Sequence, residues 1–120
     1  MKNVEAMSQQ SILQKLRQLK GRYEAEGFII LGLFGSYARE EQNECSDIDI
    51  LYEVRKSFVE KYGFSAVSKI EEIRKELALA LGKTVDLASR SGLSKTAQIY
   101  IAERTVYVEN SEYRQNQSCL

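Results

Sequence analysis

Asp47 and Asp49 stand one residue apart in the stretch Ser46-Asp47-Ile48-Asp49-Ile50-Leu51, and Gly35-Ser36 closes the apolar run before it. In an extended chain, residues two apart point to the same side, so the two carboxylates share one face while Ile48 and Ile50 share the other. Neighbouring anions repel and raise each other's pKa unless a cation lies between them, and a hard divalent ion such as Mg²⁺ is the usual partner of paired oxygen ligands. Gly35-Ser36 offers the complementary chemistry. Glycine lets the backbone approach a ligand, and free N–H groups at a helix start, with a serine hydroxyl, hold phosphate. Asp86, between Val85 and Leu87, adds a third carboxylate able to point away from the core. Taken singly, each feature has an ordinary structural reading: an exposed strand end, a turn with a helix cap, a polar residue of an edge strand. Together, a phosphate cradle beside a two-metal carboxylate clamp describes a nucleotide site. Arg39, one turn further on, reads equally as a phosphate contact or a surface arginine.

Composition narrows the chemistry. The 120 residues contain no histidine, which removes imidazole bases, histidine-dependent nucleophiles and imidazole metal sites together. Seventeen basic and seventeen acidic side chains give a formal charge of zero, so no global field draws the chain to nucleic acid or to an anionic membrane. No apolar run approaches the roughly eighteen residues of a membrane helix. Cys45 and Cys119 lie in unlike contexts and the N-terminus shows no apolar signal core, which favours a reduced, cytoplasmic setting without a disulfide.

The elements that must position these residues follow from periodicity. Ile12, Leu13, Leu16, Leu19 and Tyr23 recur at helical spacing between Ser8 and Glu26, with Ser8 or Ser11 as cap and Gly27 as stop. "FIILGLF", residues 28–34, predicts a central strand covered on both faces. Residues 36–41 start a helix, and residues 46–54 form a second strand. After a polar joint at 55–56, Phe64, Val67, Ile70, Ile73, Leu77 and Leu81 mark one stripe of a helix that Gly82 caps. Residues 83–89 give a third strand, 93–103 a short helix and 105–109 a last strand. The predicted fold class is α/β (α+β), a small mixed sheet with helices packed on it, with residues 1–110 forming the domain and 111–120 a polar tail.

The pattern Gly35-Ser36, Tyr37-Ala38-Arg39, then Ser46-Asp47-Ile48-Asp49-Ile50-Leu51 resembles the nucleotidyltransferases of the DNA polymerase β superfamily, and the short chain resembles their minimal nucleotidyltransferase (MNT) group. The motif-bearing similarity covers residues 28–88. It implies a polymerase β palm-like fold. Gly35 and Ser36, with Arg39 beside them, would engage the triphosphate of an ATP donor. Asp47 and Asp49 would bind both Mg²⁺ ions, while Asp86 would bind one and help deprotonate the attacking hydroxyl. Members of the group often continue Ala-Arg with glycine, where this chain has Glu40 and Glu41.

A chain spent largely on the catalytic sheet leaves little material for an acceptor site of its own. The resemblance implies a partner, a HEPN-family ribonuclease toxin, whose tyrosine would receive AMP so that the chain acts as antitoxin. A second reading is a non-catalytic module that neutralises its partner by occlusion. A third is a small-molecule transferase of the aminoglycoside type, whose usual extra helical domain has no counterpart here. Ile99, Tyr100 and Tyr107 read as core residues, or as the contact surface of a homo-oligomer.

Overall fold

The computed structural model of the protein describes residues 8–108. The expected tail, the boundary near residue 110, Cys119 and the last residue of the expected final strand lie outside the described residues. Helix α1, Gln9–Glu24, begins where Ser8 Oγ accepts a hydrogen bond from Ser11 N at 3.1 Å, settling which serine caps it. Its apolar stripe of Ile12, Leu13, Leu16 and Tyr23 is buried. Strand β1, Phe28–Phe34, is covered on both faces as its unbroken apolar run predicts. It is followed by α2, a single turn at Gly35–Ala38, then β2, Ile48–Val54, and α3, Lys56–Tyr62. Helix α4 spans Ala66–Leu81, β3 Val85–Ser89, α5 Lys95–Arg104 and β4 Val106–Tyr107.

The four strands lie in the order β3-β2-β1-β4, with β2 and β3 parallel and the other pairs antiparallel. This is the mixed sheet expected from the sequence, with β1 central. Its register slips between Ile30 and Gly32 against β2. At Gly32 a side chain would run into the backbone of Val106 and Tyr107. Glycine there admits the edge strand, the use of strand glycine where two backbones come close.

One face of the sheet carries Phe28, Ile30, Leu33, Ile48, Ile50 and Tyr52, which pack with α1, α3 and α4 into a single core. The other face of β2 presents Asp49, Leu51 and Glu53, since side chains alternate along a strand. Alternation therefore separates chemistry from packing along this one segment.

Three expectations are corrected. Helix α3 occupies the stretch after the polar joint. Its lysines and glutamate face solvent, but Phe58 is fully buried, 6.0 Å from the Phe28 ring and 4.9 Å from Tyr62. One buried aromatic thus anchors a helix that no apolar stripe announces. Phe64 and Val67 lie outside the stripe of α4 and are exposed. At about 100° per residue, Val67 falls about 120° and Phe64 about 180° from Ile73, whereas Ala66 falls within about 20°. The helix accordingly continues its stripe through Ala66, and Gly63-Phe64-Ser65 form a 3-10 turn before it. Finally, Ile99, Tyr100 and Tyr107 are exposed rather than core, and α5 has no buried residue.

Candidate active site

Strand β2 brings the acidic residues together by register. Asp49 pairs with Asp86 across the parallel β2–β3 ladder and with Phe34 across the β1–β2 ladder. Asp86 therefore stands on one side of Asp49, and the end of β1, with Gly35 behind it, on the other. Asp47 precedes β2, which starts at Ile48 rather than Ser46; Ile48 N donates to Thr84 O at 2.9 Å as the first link toward β3. Ser46 belongs to the preceding turn, where its hydroxyl accepts from Asn43 N at 2.9 Å and Asn43 Oδ1 accepts from Cys45 N at 2.8 Å. Lys83 Nζ ties this turn to the start of β3 by donating to Glu44 O at 2.7 Å. Cys45 is exposed and unpaired by disulfide.

Gly35 has φ +74, and a β-carbon there would collide with Asp49 Oδ2. Both facts demand glycine. The carboxylate of Asp49 lies against the backbone at Gly35, so the Gly-Ser turn and one of the acidic residues singled out in the sequence share one location. Half-buried Asp49 has its pKa pushed up to about 6, first by burial, then by the charges of Asp86 and Asp47, with Arg39 opposing the rise. Burial and the neighbouring carboxylates thus act together on this one group. Among the described residues, no group of three or more acidic, cysteine or histidine side chains forms a ready-made metal cage. Asp47 and Asp86 are solvent-exposed at the rim of the cluster. Carboxylate oxygens are donors for a hard divalent ion rather than a softer metal, but these three do not form such a site as they stand.

The Gly-Ser turn opens only one helical turn, not the longer helix expected from residues 36–41, and a single turn does not persist unaided. Two features hold it. Tyr37 is fully buried in the main core. Gln9, a buried side chain of α1, donates from Nε2 to Tyr37 O at 2.9 Å and to Ala38 O at 3.1 Å, tying the carbonyl end of the turn to α1. Gln9 is absent from the sequence-derived site because nothing in its local pattern signals a contact so distant along the chain.

The turn closes as a Schellman motif: Glu41 N donates to Ser36 O at 2.9 Å and Glu40 N to Tyr37 O at 3.3 Å. Glu40 occupies the left-handed position of that motif with φ +57. Glycine is the usual occupant of such a position, which gives a physical reason for the glycine that the resembling family often has after Ala-Arg. The Glu40 side chain faces solvent. Glu41 instead reaches Arg39, accepting from its Nε at 2.9 Å.

With this geometry in place, the family of the nucleotidyltransferase domain matches residues 10–108 of the chain. The chain belongs to that family. This nucleotidyltransferase is 32% identical over 92 residues to the protein adenylyltransferase MntA of Thermococcus cleftensis, covering 77% of this chain and 83% of that protein. It is 37% identical over 83 residues to a candidate protein adenylyltransferase of Methanocaldococcus jannaschii, covering 68% of this chain and 74% of the relative. Among solved structures, a candidate minimal nucleotidyltransferase superposes with TM-score 0.66 at 23% identity, over 83% of this chain and 95% of the other. A toxin–antitoxin crystal structure with AMP-PNP superposes with TM-score 0.55 at 20% identity, over 92% of this chain and 80% of the other. Those two likenesses concern the fold, and they agree with the mixed sheet and helical layer described above. The protein is therefore an enzyme of the nucleotidyltransferase class, with the nucleotidyltransferase fold.

Proposed function

We propose that this nucleotidyltransferase transfers AMP from ATP to a tyrosine of a HEPN-family toxin in the cytoplasm and thereby serves as its antitoxin. The observation that carries the reading is the register of β2, which sets Asp49 between Asp86 and Gly35. Relatives that are named as protein adenylyltransferases support the choice of a protein acceptor, and the toxin–antitoxin neighbour supports the context. The domain assignment that accompanies this reading is residues 1–110, with 111–120 as a tail.

In this mechanism Gly35 and Ser36 receive the triphosphate, and Arg39 offsets part of its charge. Asp47, Asp49 and Asp86 are the proposed ligands of two Mg²⁺ ions, Asp86 serving only one of them. When bound, such ions neutralise charge on the entering and leaving oxygens of an in-line displacement. Asp86 accepts the phenolic proton as the tyrosine oxygen forms its bond to the α-phosphorus. The bond from that phosphorus to the bridging oxygen breaks, and pyrophosphate leaves with the electron pair. The AMP left on the toxin places phosphate charge where RNA must approach, which repels the substrate and blocks the site.

The test mixes purified protein, Mg²⁺, ATP labelled at the α-phosphate and the purified product of a HEPN-family toxin gene. Label is expected on a tyrosine of that product, and Asp47→Ala is expected to abolish it. Absence of transfer, or transfer undiminished in Asp47→Ala, removes the enzymatic reading. The negative charge of Glu41, held beside the site by its ion pair with Arg39, favours a second reading, occlusion without catalysis. Changing Asp47 and Asp49 together to asparagine separates the two: an occluding protein still protects cells from the toxin, whereas a transferase does not.

A further inference from the structure

A cavity of about 520 Å³ lies between α2 and α5, bounded by Phe34 and Gly35 on one side and by Thr96, Tyr100 and Arg104 on the other, with Arg39 at its edge. Among the described residues, Ser94, Ala97 and Ile101 complete the lining, so that it carries two arginines and no acidic residue. Arg104 is held rather than loose: its guanidinium sits 3.9 Å from the centroid of the Tyr100 ring, and Nη1 donates to Tyr100 O at 3.2 Å. Its only carboxylate neighbour among the described residues is Glu103, with Oε1 3.6 Å from Nη1. Nε and Nη2 of Arg104 make no hydrogen bond among the described residues. Stacking on an aromatic face fixes the plane of a guanidinium while leaving donors at its edge for a planar or tetrahedral anion. Among the described residues, Arg39 is hydrogen-bonded through Nε to Glu41, and its charge also acts on Asp49.

The sheet gives this cavity a direction. Asp86 lies on the β3 side of Asp49 and Gly35 on the β1 side. An in-line displacement requires the attacking and leaving oxygens on opposite sides of phosphorus. If the acceptor hydroxyl is served from the Asp86 side, the departing pyrophosphate must point past Gly35, into the space between α2 and α5. We propose that α5 supplies the second arm of a polyphosphate clamp: Arg104, positioned by Tyr100, faces Arg39 across this cavity and grips the β- and γ-phosphates of the donor. This inference rests on the nucleotidyl-transfer reading for the identity of its ligand. Because the clamp reads phosphates, this cavity adds little discrimination between nucleobases. The clamp also stabilises the charge that develops on the leaving group, which is where preorganised donors act most strongly. Tyr100 is then a positioning residue, acting through its ring and not its hydroxyl.

The experiment is titration of the purified full chain with Mg²⁺-ATP, Mg²⁺-GTP and Mg²⁺-tripolyphosphate by calorimetry, for wild type, Arg104→Gln, Tyr100→Phe and Tyr100→Ala. Far-UV circular dichroism confirms that each variant keeps its fold, as expected for exposed side chains on a helix with no buried residue. Arg104→Gln is expected to weaken all three ligands by about ten- to a hundredfold, the range for losing hydrogen bonds between charged groups. Tyr100→Phe is expected to match wild type and Tyr100→Ala to weaken all three, because only the latter removes the platform under Arg104. Tripolyphosphate binding unchanged in Arg104→Gln overturns the clamp, as does a loss confined to the nucleotides, which would place the contact on the nucleoside. Equal loss in Tyr100→Phe and Tyr100→Ala overturns the positioning role. Arg104-dependent tripolyphosphate binding without any adenylyl transfer would keep the clamp and remove the proposed function, so the two fail separately.

Discussion

At neutral pH the ionised carboxyl of Asp49 opposes folding, because it must be charged while half-buried and flanked by Asp86 and Asp47. Its pKa is about 6 in the folded protein against an ordinary value of 3.8. Between those values the folded state binds the extra proton, so this residue adds stability as pH falls from 7 toward 4, and the gain is lost again as pH rises through 6. Asp49→Asn removes the charge at nearly constant shape. It is expected to stabilise the metal-free protein at pH 7.5 by about 1–2 kcal/mol, after allowance for solvent screening of the open side. At pH 4 the difference should vanish, and parallel urea titrations at the two pH values test this; an Asn variant less stable than wild type at pH 7.5 would refute the electrostatic account. Glu40→Gly is the second expectation at this scale. Relief of the left-handed backbone at φ +57 should stabilise the protein by about 1 kcal/mol, read as a rise in Tm, and an unchanged or lower Tm would count against it. The carboxylates and the Gly-Ser turn were legible in the sequence because residue type and period-two spacing encode them directly. The strain at Glu40 was not, since a backbone angle has no signature in a glutamate.

Elements were legible where a stripe or an unbroken apolar run is long enough to outvote its neighbours. Helices α1 and α4 and strand β1 meet that condition, while α3 does not, because its only buried anchor is Phe58 and its other positions are polar or exposed. The extent of α2 was also hidden: it ends in a Schellman closure at a glutamate and is held by hydrogen bonds from the distant Gln9, neither of which the local residue types announce. That dependence gives a testable consequence. Gln9→Ala removes the side-chain donor from the carbonyls of Tyr37 and Ala38, one of these bonds being buried, and leaves Tyr37 O with Glu40 N. The expected loss of stability is about 1–3 kcal/mol in denaturant unfolding. ATP should bind more weakly as well, because the turn carrying Gly35 and Ser36 is freed at its far end. A stability loss with unaltered ATP affinity would show that α2 holds its shape without α1.

At the scale of the whole molecule, the architecture follows from one division of labour along the sheet. One face packs with α1, α3 and α4 into the core, and the other carries Asp49, Leu51 and Glu53 toward the site and α5. The core residues run from Ile12 to Val108, and Val108 N donates to Leu31 O at 2.8 Å, fastening the end of β4 to the central strand. Residues 111–120 are polar in sequence, and as a tail outside the domain they should be removable with the fold and the site left intact. A chain ending at Asn110 is expected to unfold within about 2 °C of the full-length protein, since a change of 1 kcal/mol shifts Tm by about 4–8 °C in a domain of this size. Its affinity for Mg²⁺-ATP should also be unchanged. Ending the chain at Thr105 is the informative contrast, because it deletes β4 and exposes the backbone edge of β1 where Gly32 admits Val106 and Tyr107. That variant is expected to lose several kcal/mol and to bind ATP poorly, since β1 positions Gly35. Should the shorter truncation cost as much as the longer one, the boundary near residue 110 would be wrong, and the tail would belong to the domain.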